Sequence, residues 1–148
     1  MQYALDALFS IPSGGQAFTA GTPTQQLNID AAYPLTSSIG IGTTLGFAAT
    51  GGAFANTTSP TPAFARYGAF IPSVVVTDQL NGLTQVYAEG VGQSKVAPDL
   101  GGRLFADVGI QRLLGQYVEV DAEYGMSFTP VLGSRFHYVG FGVGIFVR

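Results

Sequence analysis

Gln116-Tyr-Val-Glu-Val-Asp-Ala-Glu-Tyr-Gly-Met-Ser-Phe128 is the stretch that decides the fold, because its side chains alternate strictly between two kinds. Every second residue is apolar or aromatic, namely Val118, Val120, Ala122, Tyr124, Met126 and Phe128. The residues between them are Glu119, Asp121, Glu123, Gly125 and Ser127. Period-two alternation predicts a β-strand, since successive side chains point to opposite faces of a sheet.

The low charge of the chain indicates what each face of this strand meets. Only 10% of the 148 residues are charged and 47% are hydrophobic, whereas roughly a quarter of the residues are charged in an average soluble domain. So few charges cannot coat a soluble surface. We therefore interpret the apolar face as facing lipid and the carboxylates as facing inward, as in a small transmembrane β-barrel. No unbroken apolar run reaches the roughly 18 residues of a membrane-spanning helix.

The same alternation recurs eight times and predicts one domain spanning residues 1–148. The predicted strands cover residues 2–11, 25–35, 39–49, 64–76, 83–92, 100–111, 116–128 and 134–148. Their lengths suit tilted membrane strands of roughly 9–11 residues, and an even number of antiparallel strands can close without an unpaired edge. Short turns alternate with the longer connections 12–24, 50–63 and 93–99. We therefore predict an all-β fold, an eight-stranded antiparallel up-and-down transmembrane β-barrel.

The last predicted strand carries a family resemblance. Tyr138-Val-Gly-Phe-Gly-Val-Gly-Ile-Phe-Val-Arg148 is similar to the closing strand of eight-stranded outer-membrane barrels of Gram-negative bacteria, the family of the OmpA transmembrane domain, OmpX and the opacity proteins. That family usually ends on an aromatic residue, whereas here Phe146 precedes Arg148 by two positions. The resemblance implies a porin-like, non-enzymatic protein of the bacterial outer membrane that needs no cofactor. Because Met1 leads directly into a strand pattern, we expect an export signal to have been removed.

A charge network is predicted in the lumen. Its residues are Asp6, Asp30, Arg66, Glu89, Arg103, Asp107, Glu119, Asp121 and Glu123. With the two connections around the sixth strand centred near positions 96 and 114, Glu89 lies opposite Arg103 and Asp107 lies opposite Asp121. Glu123 is then diagonal to Arg103. Seven acids cannot all pair with two bases, and unpaired buried carboxylates are costly.

Two functions follow from this interior. The first is a structural or surface-interaction role, in which the polar network plugs a lumen that is only wide enough for side chains. The alternative is a narrow cation-preferring channel for ions or small solutes, because unpaired carboxylates favour cations.

The outward face and the loops predict the surroundings of the protein. Residues expected at the interface with lipid or lipopolysaccharide are Tyr3, Tyr33, Tyr67, Tyr117, Phe128 and His137. Phe18, Phe54 and Lys95 lie in the long connections and would contact a partner protein or a larger envelope assembly. With one lysine and no basic patch, nucleic acid is not an expected partner.

Other classes of protein fit the sequence less well. A soluble β-barrel carrier of a small ligand would have the same alternation inverted, with Val118, Val120 and Tyr124 lining a pocket. His137 is the only histidine, and Ser127 and Ser134 are near it in sequence without a catalytic motif around them. The chain has no cysteine, and no metal site is expected from its carboxylates.

Overall fold

The computed structural model of the chain describes residues 1–11, 23–54, 58, 63–130 and 133–146, and these residues form eight β-strands. The strands are β1 (Gln2–Ser10), β2 (Thr24–Pro34), β3 (Ile39–Ala53), β4 (Phe64–Asn81), β5 (Thr84–Gln93), β6 (Arg103–Leu114), β7 (Val118–Ser127) and β8 (His137–Ile145). Within these ranges no helix is long and apolar enough to cross a membrane.

Strands that follow one another in the chain pair with each other, so the eight strands form one antiparallel sheet in the order β1 to β8. The predicted all-β fold with eight up-and-down strands is therefore confirmed. Among the described residues the pairing ends at β1 on one side of the sheet and at β8 on the other. One edge of β1 and one edge of β8 are therefore unpaired. These two edges run in opposite directions, so an antiparallel ladder between them would close the sheet into a barrel.

The two ends of the sheet differ in their connections. At one end, which we name the turn end, tight turns at residues 35–38, 82–83 and 115–117 join the strands. Asn81-Gly82, a pair typical of tight hairpins, stands at one of them, and Asn81 Oδ1 accepts a hydrogen bond from Leu83 N at 3.0 Å. Gly115 has a φ of 74°, which favours glycine. The opposite end holds the longer connections, and we name it the loop end.

The hairpin of β3 and β4 is longer than predicted. Its register stays regular up to the pair Ala53–Phe64, so residues 50–53, which were expected in a loop, belong to a strand. β2 stops pairing with β3 at Ala49, and the hairpin therefore extends past β2 at the loop end.

The exposure of side chains is inverted relative to a soluble protein. One face, which we name the outer face, carries large apolar side chains that are open to the surroundings: Leu5 is 69% exposed and Phe141 81% exposed. The other, or inner, face carries most of the charges, yet it is the less exposed one. Ser127 on this face is 1% exposed, and the only buried apolar side chains of the described residues are Ala48 and Ala69. Soluble proteins bury large apolar residues instead.

The inner and outer faces of β4 are the reverse of those predicted. Phe70 pairs with Phe47, and their rings lie 5.0 Å apart on the outer face. Arg66 shares this phase and is exposed at the loop end, so it does not belong to the interior network. Tyr67, which was expected to contact lipid, lies on the inner face. Apolar residues occupy both phases of β4, so its alternation was ambiguous, and the charge of Arg66 was a misleading guide to the interior.

The inner face as a candidate functional site

Eight of the nine predicted interior residues lie on the inner face of the sheet. They are Asp6 on β1, Asp30 on β2, Glu89 on β5, Arg103 and Asp107 on β6, and Glu119, Asp121 and Glu123 on β7. Without Arg66, the described part of this face carries seven acids and one base. The imbalance of charge is thus larger than the sequence suggested.

The predicted registers within this set are wrong. Glu89 pairs with Asp107 and not with Arg103, whose partner is Gln93. Asp107 pairs with Gly125 across β6 and β7, and Asp121 pairs with Gln111. The connection between β5 and β6 and that between β6 and β7 are each centred two residues later than expected. Residues 94–102 form a compact loop in the first, and Gly115 takes the left-handed conformation in the second.

The guanidinium of Arg103 is held by aromatic rings. It lies 5.1 Å from the ring centre of Phe105 and 6.0 Å from that of Phe136, which are distances of a cation–π contact. Its Nε atom is buried without a hydrogen-bond partner. Arg103 begins β6 at the loop end of the inner face, whereas Asp121 and Glu119 lie nearer the turn end.

Two tyrosines reach across a neighbouring strand to bind an acid on the strand beyond it. Tyr87 Oη on β5 donates a 3.0 Å hydrogen bond to Glu123 Oε2 on β7. Tyr138 Oη on β8 donates a 3.2 Å hydrogen bond to Asp107 Oδ2 on β6, and Asp107 is only 7% exposed. The two bonds thus connect β5 to β7 and β6 to β8.

Glycines make these bonds possible. A Cβ atom on Gly109 would overlap the ring of Tyr87, and a Cβ atom on Gly125 would overlap the ring of Tyr138. Each ring lies flat over the strand that it crosses because that strand carries no side chain there. These tyrosines and glycines were not predicted as part of the site, since they come together only in the observed register.

The acids of β7 lie over glycines of β8 in the same way. The carboxylate of Glu123 covers Gly140, and that of Asp121 covers Gly142. The carboxylates of Asp121 and Glu123 therefore extend from β7 over β8. We name this set of Tyr87, Glu123, Tyr138 and Asp107, with Asp121 beside it, the tyrosine–acid cluster.

The inner face of β1, β2 and β3 carries smaller side chains and local bonds. Thr44 Oγ1 donates a 2.5 Å hydrogen bond to Asp30 Oδ1, while Asp30 Oδ2 is buried without a partner. Gln26 Nε2 donates to Asn28 Oδ1 at 2.8 Å. Asp6 is exposed, as is the whole of β1.

The turn end of the inner face is open. A cavity of about 670 Å³ lies there between β4, β5, β6 and the start of β7. Its polar lining residues are Gln79, Gln85, Gln111, Gln116 and Glu119. Leu83, Leu113, Ile145 and Phe146 line the rest of it, so polar and apolar side chains share the walls of this cavity.

Most of the predicted interface residues lie on or beside the outer face. Tyr3, Tyr33, Tyr117 and Phe128 are exposed by about half or more of their surface. His137 is also exposed, and its Nδ1 lies 2.7 Å from Tyr124 Oη, a partner that was not predicted. Tyr124 is itself 45% exposed on the outer face.

The loop residues are described only in part. Phe54 is 36% exposed next to β3, and Lys95 is half-buried in the connection after β5. Phe18 lies outside the described residues.

Ser127 and His137, which are near each other in sequence, lie on opposite faces of the sheet. Ser127 Oγ is buried on the inner face, where it accepts a 3.0 Å hydrogen bond from Phe136 N. Groups of three or more His, Cys, Asp or Glu side chains suited to a metal ion do not occur in the described part of the chain. Comparison with protein-family models, with curated proteins and with solved structures finds no match.

Proposed function

We propose that the chain is an integral β-barrel of the bacterial outer membrane, with a structural or surface-interaction role and a polar network that fills its lumen. The observation that carries this proposal is the inverted exposure of the sheet. Aromatic and aliphatic side chains on the outer face have no protein to pack against, and soluble monomers rarely expose so much contiguous apolar surface. Lipid is the solvent in which this face is favourable.

Closure of the sheet is part of the proposal. Lipid cannot satisfy the unpaired backbone groups of β1 and β8, so the two edges gain most by pairing with each other. In the closed barrel the tyrosine–acid cluster and the loop after β5 would occupy the lumen. Tyr3, Tyr33, Tyr117, Phe128 and His137 would then contact lipid or lipopolysaccharide, and Phe54 at the loop end would be open to a partner protein, whereas Lys95 belongs to the loop that folds over the inner face.

The absence of tryptophan from the chain permits a clean test of this orientation. Phe141→Trp places the probe on the outer face and Phe105→Trp places it on the inner face. In vesicles of phospholipid with brominated acyl chains, we expect strong quenching of the Phe141→Trp variant and little quenching of the Phe105→Trp variant. Equal quenching of both variants, or a protein that stays in solution without detergent or lipid, would contradict the membrane barrel and favour the soluble carrier.

A second candidate is a narrow cation-preferring path through the same barrel. The observation that favours it is the ratio of seven acids to one base on the described inner face, together with the open cavity at the turn end. Carboxylates that lack a basic partner attract cations into a narrow space. Reversal potentials in a planar bilayer under a salt gradient test this candidate, and an absence of cation selectivity would exclude it.

A further inference from the structure

The connection between β5 and β6 is folded into a compact loop. Ser94 pairs with Phe70 through two hydrogen bonds of 2.8 Å, from Ser94 N to Phe70 O and from Phe70 N to Ser94 Oγ. Within the loop, Val96 N donates to Gly101 O and Leu100 N donates to Ala97 O, each at 3.2 Å. We name residues 94–102 the inner loop.

The inner loop packs against the inner face of the β3–β4 hairpin. Tyr67 Oη donates a 2.9 Å hydrogen bond to the carbonyl oxygen of Val96. Pro98 lies so close to Gly52 that a Cβ atom there would be 3.4 Å from Pro98 Cδ. Gly52 and Tyr67 both belong to the part of the hairpin that extends past β2 at the loop end. The loop is thus turned toward the lumen side of the sheet and not away from it.

The base of the inner loop is narrow and occupied by large side chains. A Cβ atom on Gly102 would lie 2.6 Å from the carbonyl oxygen of Gln93, so the two stems of the loop are in close contact. Arg103 follows immediately, with its guanidinium over the rings of Phe105 and Phe136. The loop end of the inner face is therefore covered over β3 to β6, whereas the turn end opens into the cavity of about 670 Å³.

We propose that the inner loop is a lid that closes the loop end of the lumen, and that the hydrogen bond from Tyr67 to Val96 is its latch. The inference rests on the proposed closure of the sheet into a membrane barrel. It deepens the second candidate, the cation path, because it places the barrier of that path in one loop and not in the tyrosine–acid cluster. Moving the lid would connect the acid-rich inner face to the far side of the membrane, and small cations are the solutes that this face favours.

The position of the lid can be tested with thiols because the chain has no cysteine. The double variant Gly52→Cys with Pro98→Cys places one thiol on the hairpin and one on the lid. The matched control, Gly68→Cys with Pro98→Cys, places the first thiol on the outer face of the same hairpin. In the folded protein in vesicles, a short bis-maleimide, which adds one thiol at each end, should cross-link the 52–98 pair and not the 68–98 pair. Equal cross-linking of the two pairs, or of neither, overturns the position of the lid.

Conductance in a planar bilayer then tests the role of the lid. Tyr67→Phe removes only the latch oxygen, and we expect at least a tenfold higher probability of cation-selective openings than in the parent protein. Cross-linking residues 52 and 98 in a protein that also carries Tyr67→Phe should abolish these openings. Barrels that insert equally and conduct equally with the lid free or cross-linked would overturn the lid alone, whereas failure of the lipid-quenching test would overturn the membrane barrel itself.

Discussion

The two halves of the inner face are stabilised in different ways. In β5 to β8, large polar side chains lie flat across glycines, and two tyrosine–acid bonds each span three strands. In β1 to β3, small residues predominate and the side-chain bonds connect near neighbours, as between Thr44 and Asp30. β1 is exposed along its whole length, while β8 is exposed only at alternate residues.

A sheet can thus fix its own curvature and packing from within. A glycine opposite a tyrosine leaves space into which the ring can extend over the neighbouring strand. The large side chain and the space that it fills therefore lie on adjacent strands and not on the same strand. Such matches connect β5 to β8 across their ladders. The glycines of β3 meet shorter side chains, since Val75 Cγ1 would lie 2.9 Å from a Cβ atom on Gly42 and Asn28 Oδ1 2.9 Å from one on Gly46.

The largest effect is expected when a matched glycine is lost from the second half. Gly125→Val should lower the free energy of unfolding by about 3 kcal/mol, because the new side chain overlaps Tyr138 and separates it from the buried carboxyl of Asp107. Urea unfolding in phospholipid vesicles measures this change.

Gly90→Val is the matched control for that variant. Gly90 lies on the outer face of β5, and no atom lies within 4 Å of the position that a Cβ atom would take there. A Gly90→Val protein that is destabilised as much as Gly125→Val would mean that strand propensity or lipid contact decides the effect, and that the match with Tyr138 does not.

A smaller effect is expected when only the tyrosine hydroxyl is removed. Tyr138→Phe keeps the ring over Gly125 but leaves Asp107 without that donor, so we expect a loss of about 1–2 kcal/mol. Tyr33→Phe in the first half, where Tyr33 is exposed on the outer face, should change stability by less than about 0.5 kcal/mol. The same urea titration compares them, and equal losses would erase the distinction between the halves.

The smallest effect is expected on the outer face of the second half. Tyr124→Phe removes the 2.7 Å partner of His137 Nδ1, but both side chains are exposed, so stability should change by less than about 0.5 kcal/mol. A change above about 1 kcal/mol in the urea titration would indicate that this pair contributes to the packing of β7 and β8 as the tyrosine–acid cluster does.

Much of the fold could be predicted because alternation is a local property. In seven strands the predicted apolar phase is the observed one, and eight of the nine charges expected in the interior lie on the inner face. β4 was the exception, since apolar residues occupy both of its phases and Arg66 gave the wrong direction. The registers predicted for Glu89 and Asp107 were also wrong. When the centre of a turn moves by two residues, every side chain stays on its predicted face, so the alternation cannot reveal the shift.

The sequence by itself determined that the chain forms eight up-and-down strands with a charged face and an apolar face, because the direction of each side chain follows from the period of two. Only the tertiary structure decided which residues meet. The turn at Gly115 and the inner loop set the registers, and these registers bring Tyr138 over Gly125 to Asp107 and Tyr67 to Val96. Such contacts join positions far apart in the chain, so no local pattern encodes them, and the match between a large side chain and an empty position exists only once the strands are side by side.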